Sequence, residues 1–153
     1  MSSNRPICEN RRARREYTVD DTFEAGLVLQ GSEVKSMRAG AANLSDSYVQ
    51  FRGGEAFLVG AHIAPYAQAN RLNHPPRRDR KLLLHAREIR KLASKVAERG
   101  YTVIPLRMYF KGAHAKVLLG LARGKKIHDR RQDIRRREDQ RDMARALRQT
   151  ERD

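Results

Sequence analysis

Cysteine is almost missing from this chain: Cys8 stands alone among 153 residues. No internal disulfide and no cysteine-rich zinc site can be built from it, which agrees with a reducing compartment. Long apolar runs are missing too. The longest clean one, VLLGLA from Val117 to Ala122, is far too short to cross a bilayer. The opening MSSNRPICENRRARREY has no apolar stretch of the kind a secretory signal needs. Together these absences predict a cytoplasmic protein with no membrane-spanning segment. Catalytic signatures are also absent. There is no GxSxG and no HExxH. GLARGKK (Gly120 to Lys126) has the look of a phosphate loop but is one residue short between its glycines and lacks a Ser or Thr after the lysine. The five histidines, His62, His74, His85, His114 and His128, show no metal-ligand spacing. No enzyme, cofactor or metal is expected, and a binding module is the leading class; a ribonuclease assembled from His and Glu pairs that meet only in the fold is the enzymatic alternative.

Positive charge is abundant. Lys and Arg number 33 against 18 Asp and Glu, a formal charge of +15, and a polyanion, nucleic acid or an anionic membrane, becomes the default partner. The cations are clustered. Residues 1–16 hold Arg5, Arg11, Arg12, Arg14 and Arg15 against Glu9 and Glu16, and residues 71–81 hold Arg71, Arg77, Arg78, Arg80 and Lys81 against Asp79. From Lys125 onward the charge is dense but mixed, 11 basic residues against seven acidic ones.

The length predicts one domain of roughly 120 residues with an appendage: a flexible N-terminus over residues 1–9, a core over 10–123 and a basic tail over 124–153. Tyr17, Val19 and FEAGLVL (Phe23 to Leu29) read as extended. QGSEVKSMRAG reads as a short helix, with Ser32 as N-cap, Glu33 near its positive end, Val34 and Met37 on one face and Gly40 as its stop. SYVQFRGGEAFLVG reads as a hairpin turning at Gly53-Gly54. A long polar loop, AQANRLNHPPRRDR, follows. KLLLHAREIRKLASKVAERG is then an amphipathic helix with Ile89, Leu92, Ala93 and Val96 inward. A second hairpin, YTVIPLRMYFKGAHAKVLLGLA, alternates Ile104, Leu106, Met108 and Phe110 on one strand with Val117, Leu119 and Leu121 on the other, and Pro105 and Gly120 suggest a bulge or an edge. About six short antiparallel strands with two to three helices fit a mainly β fold, a small closed OB-like barrel that leaves no exposed edge; a two-layer α+β sandwich would alternate in the same way. The tail has no Gly or Pro, and Asp133 with Arg136 and Arg137, Glu138 with Arg141 and Asp142 with Arg145 support a helix. It has no single apolar stripe, because Ile127 and Ile134 fall opposite Met143 and Leu147. Alone, the tail is expected to be disordered.

Taken in order, NRRARREY, FEAGLVLQGSEVKSMRAG, SDSYV, GEAFLVGAHIAPY, RKLLLH, GYTVIPLRMYFK and KVLLGLARGKKIHDRRQDIRRRE resemble the SsrA-binding (SmpB) family over residues 10 to about 148. The resemblance implies an OB-like barrel and a non-enzymatic function. The implied protein is a monomer that binds the tRNA-like domain of transfer-messenger RNA (tmRNA) and delivers it, with elongation factor Tu, to stalled bacterial ribosomes. It also implies RNA contacts at Asn10, Arg11, Arg12, Glu24, Lys35, Arg80, Lys81, Leu83 and Lys116. By composition alone Leu83 belongs in a core, Lys116 is a solvated strand residue, and Glu24 can only accept from a base amino group or a 2′-hydroxyl, or orient a neighbouring cation. In the tail, Lys125, Lys126, His128, Asp129, Arg130 and Arg131 are implied to meet the mRNA channel and decoding centre of the small subunit, the tail being helical there. The family's Asp-Lys-Arg signature is here Asp129-Arg130-Arg131, which keeps the charge but changes an ammonium into a planar guanidinium. A ribosomal protein of similar size and charge is the rival class.

Overall fold

Gly53 and Gly54 adopt φ of 54° and 78°, the left-handed pair that a two-residue hairpin turn requires. They join the strands β4 (Tyr48–Arg52) and β5 (Glu55–Val59) as the sequence predicts. Gly112, with φ of 62°, likewise turns β8 (Tyr101–Lys111) into β9 (His114–Gly124). The remaining elements are β1 (Pro6–Glu9), α1 (Arg11–Glu16), β2 (Tyr17–Leu27), α2 (Gly31–Arg38), β3 (Ala42–Asn43), β6 (His62–Ile63), β7 (Arg80–Leu83) and α3 (Ala86–Ala97). The computed structural model describes residues 6–68, 73–98 and 100–124, with Arg141 and Met143 besides. The tail residues Lys125, Lys126, His128, Asp129, Arg130 and Arg131 lie outside the described residues. Among the described residues no helix is long and apolar enough to cross a membrane.

Seven strands pair antiparallel in the order β1-β8-β9-β2-β7-β5-β4, and β3 pairs with β6 in a small second sheet. Among the described residues the fold is mainly β with the three helices α1, α2 and α3, but the expected closure into a barrel does not occur. A strand has two hydrogen-bonding edges. β9 takes one edge of β8 and β1 takes the other along residues 107–109, which leaves β4 only the stretch before residue 107 through which to close the ring. β4 comes within 8 Å of β8 without forming a ladder. At this seam a cleft of about 320 Å³ remains, lined by Asn10, Ser47, Tyr48, Thr102 and Ile104 among others. Pro6–Glu9, within the N-terminal segment expected to be flexible, forms an edge strand on β8.

Two apolar clusters flank the sheet. The main one holds Ala25, Leu58, Leu82, Val103, Met108, Val117 and Leu119. α3 covers it with buried Leu92 and half-buried Ile89 and Val96, the predicted stripe; burying each large aliphatic side chain contributes about 1.5–3 kcal/mol. The second cluster, Ala13, Ile104, Leu106 and Ala122, lies beneath α1. The expected single-face alternation of β8 therefore splits, with Ile104 and Leu106 on the α1 side and Met108 and Phe110 in the main cluster. The cause is a register shift between Pro105 and Arg107, the bulge that Pro105 suggested.

Local details of α2 also differ from expectation. Its N-cap is Gln30, whose backbone N–H donates to Glu33 Oε1 at 2.8 Å. Ser32 instead bonds His74 Nδ1 at 2.7 Å inside the protein. The helix buries Ser32, Glu33, Ser36 and Met37 and leaves Val34 half-exposed.

Candidate nucleic-acid interface

Strand register brings the side chains of interest onto one face. Tyr109 of β8 stands opposite Lys116 of β9, Lys116 opposite Gly26 of β2, and Gly26 opposite Leu83 of β7. One row along, Arg107, Leu118 and Glu24 are aligned. Period-2 alternation sends their chain neighbours Met108, Val117, Ala25 and Leu82 into the core. α1 covers the Tyr17 end of this outer face, where Leu106, Val19 and Gly120 meet, and the end carrying Leu83 is open.

Leu83 is 55% exposed, contrary to the reading from composition. It lies over Gly26, where an added Cβ would stand 3.2 Å from Leu83 Cβ. A glycine inside a strand marks such a close approach, and here it lets an apolar side chain lie flat on the sheet. An exposed leucine flanked by cations is a platform for a base or ribose face.

Glu24 is set by its neighbours. The Tyr109 hydroxyl, carried across β9, donates to Glu24 Oε2, and Lys111 Nζ lies 3.5 Å from Oε1. The Tyr109 hydrogen bond first, and then the charges of Lys111 and Lys116, hold the Glu24 carboxyl below its usual range. Burial and the same hydrogen bond push the Tyr109 phenol up to about 12. Glu24 therefore stays an oriented anion and Tyr109 a neutral donor. With Arg107, Lys111 and Lys116 around a single carboxylate, the open face is electropositive yet offers one fixed acceptor.

The other residues implied by resemblance are placed differently. Arg80 is fully buried, its Nε on Glu33 Oε2 and its other nitrogens on the carbonyls of Ala61 at 2.8 Å and Pro76 at 3.1 Å. Asn10 is buried as well: its amide donates to Leu44 O at 3.3 Å and Pro105 O at 3.0 Å while its oxygen caps α1 at the Ala13 N–H, so its side chain shapes the fold. Lys81 is exposed and paired with Glu55 at 3.1 Å. Arg12 is held by Glu16 at 2.9 Å and Asp46 at 3.2 Å, Arg11 is exposed on α1, and Lys35 lies on α2 with Nζ 5.6 Å from the centre of the Tyr66 ring. In the described part of the basic patch over 71–81, Arg78 shares Glu33 with Arg80 and joins it at 2.6 Å, and Arg77 donates to Gly60 O at 2.9 Å. Sequence reasoning missed Tyr109, Lys111, Arg107 and Gly26. The available signal was phase, because the first three are polar positions of β8 that alternate against Met108 and Phe110, and Gly26 interrupts an otherwise apolar run.

The family model described as SmpB protein matches residues 7–149. The chain is 57% identical over 141 residues to the SsrA-binding protein of Staphylococcus saprophyticus and 56% identical over 142 residues to that of Microcystis aeruginosa, each covering 92% of both sequences. Among solved structures it is similar to a chain described under "tmRNA-SmpB: a journey to the center of the bacterial ribosome", with TM-score 0.70 and 48% identity, covering 86% of this chain and 96% of that one.

Proposed function

The chain belongs to the SmpB protein family, and from that premise we propose that it is an RNA-binding ribosome-rescue factor rather than an enzyme. It binds the tRNA-like domain of tmRNA and brings it to stalled ribosomes in the cytoplasm for trans-translation. The observation that carries this reading is the open face on which an exposed Leu83 rests on Gly26 beside Lys116, with Glu24 fixed as an acceptor by Tyr109. Cations there neutralise phosphates, Leu83 supports an unstacked base or ribose, and Glu24 accepts from a base amino group or a 2′-hydroxyl.

The tail supplies the second half of the function. In the empty mRNA channel it orders as a helix, its ordering entropy of roughly 1–2 kcal/mol per residue offset by contacts with ribosomal RNA. His128 stacks on a decoding-site base, Asp129 orients neighbouring donors, and Lys125, Lys126, Arg130 and Arg131 hold phosphates. The protein acts as a monomer, delivered in company with elongation factor Tu.

A chain ending at Arg123 separates the two roles. Filter binding of a tRNA-like transcript is expected to stay within a few-fold of the full chain, while peptide tagging on an mRNA truncated in the P site falls to background. His128→Ala with Asp129→Ala should reproduce the tagging loss. Tagging by the shortened chain at the full-length rate would refute the tail mechanism, and loss of RNA affinity by orders of magnitude would refute the division of labour.

A further inference from the structure

The bulge in β8 does more than divide the core. Pro105 and Arg107 oppose the neighbouring residues Leu119 and Leu118, so Leu106 is the extra residue, and such an insertion re-aims the side chains around it. Leu106 falls beneath α1. Arg107, the next residue, emerges half-exposed where that cover ends, in register with Leu118 and Glu24. Its Nε is shielded from solvent and has no hydrogen-bond partner; its guanidinium lies 5.5 Å from the centre of the Tyr109 ring. Glu24, the acid aligned with it, is already engaged by Tyr109 and Lys111. The inward Nε is out of reach of solvent, but a half-exposed guanidinium held against an aromatic ring, beside an acid already engaged elsewhere, is arranged to present its terminal nitrogens to an anion from outside.

We propose that Arg107 is a phosphate anchor for the bound RNA, a contact additional to those the family resemblance implies. The inference rests on the reading of the outer face as an RNA surface. Arg107 on β8 and Leu83 on β7 are three strand spacings apart, roughly 15 Å. A single RNA strand crossing the sheet would place a backbone phosphate at Arg107, a base edge or 2′-hydroxyl at Glu24 and an apolar ring or ribose face at Leu83.

The test is filter binding of the full chain to a tRNA-like transcript over a salt series. Arg107→Gln is expected to weaken binding about tenfold near 0.1 M salt and to lower the steepness of log K against log salt by about 0.7–0.9, the signature of one lost phosphate contact. Arg107→Lys should restore the steepness and part of the affinity. Arg90→Gln removes an equal charge from the exposed side of α3 and should leave the steepness alone. An unchanged slope in Arg107→Gln, or an equal change in Arg90→Gln, overturns the anchor. If the wild-type chain shows no preference for the tRNA-like transcript over an unrelated hairpin, the reading of the face falls and the anchor with it. A retained wild-type preference with an unaffected Arg107→Gln removes the anchor alone.

Discussion

In the proposed function the carboxylate of Glu24 recognises rather than attracts, and its ionisation follows first from the Tyr109 hydroxyl. Replacing Glu24 by Gln should lower affinity for the tRNA-like RNA while leaving the salt slope unchanged, measured by filter binding; an equal loss on unrelated RNA would contradict it. Tyr109→Phe removes the donor, and the Glu24 carboxyl should then titrate nearer its ordinary value of 4.5, read by NMR. The same pair gives a pH signature. Because the folded phenol titrates near 12 against an ordinary 10.0, its contribution is complete below pH 10 and lost as pH rises through 12. Because the folded carboxyl titrates below 4.5, its contribution is present above 4.5 and lost as pH falls through the depressed value. The wild-type chain should exceed Tyr109→Phe in stability by about 1 kcal/mol between these limits, measured by denaturant unfolding. A difference that persists at pH 12 would argue for packing as its cause.

At the scale of elements, α2 is fastened to β7 by Glu33, which accepts from the Gln30 N–H, Arg78 and Arg80. Burial acts to raise the Glu33 carboxyl, but these three hydrogen bonds outweigh it and hold it low. Arg80→Ala would strip a fully buried carboxylate of one cation and should destabilise by about 3–5 kcal/mol, checked by urea unfolding; a loss below 1 kcal/mol would mean that Arg78 suffices. Gly26→Ala tests the platform. Its Cβ would stand 3.2 Å from Leu83 Cβ, so RNA affinity should fall several-fold while stability changes by less than about 1 kcal/mol. The hairpin at Gly53-Gly54, the α3 stripe and the Pro105 bulge were legible because each rests on local spacing and backbone chemistry. Arg80 was not, because a buried ion pair 47 residues apart in sequence leaves no local mark and an arginine in a basic run reads as solvated. Asn10 was hidden for the same reason, its carbonyl partners lying 34 and 95 residues away. Leu83 was misread by composition because its exposure depends on a glycine on another strand.

For the whole molecule, the open sheet and the cation distribution decide how RNA is met. Closure was illegible in the alternation, since pairing of Pro6–Glu9 with β8 is a competition for one edge that periodicity does not encode. Arg78 and Arg80 share the one carboxylate of Glu33, and Arg80 is wholly buried; in the proposed reading binding falls to the outer face and α1. If about five phosphates are engaged there, log K should fall with log salt at a slope of roughly −3.5 to −4.5, and a flat response would contradict an electrostatic interface. The central claim, that the uncovered face of β8, β9, β2 and β7 receives the RNA, is tested most directly by NMR titration of the chain with a tRNA-like transcript. Amide shifts are expected to concentrate at residues 24–26, 81–83, 107–111 and 116–118, with α3 nearly silent. Shifts centred on α3 or on the Gly53-Gly54 turn, with those four segments unmoved, would show that the RNA binds elsewhere.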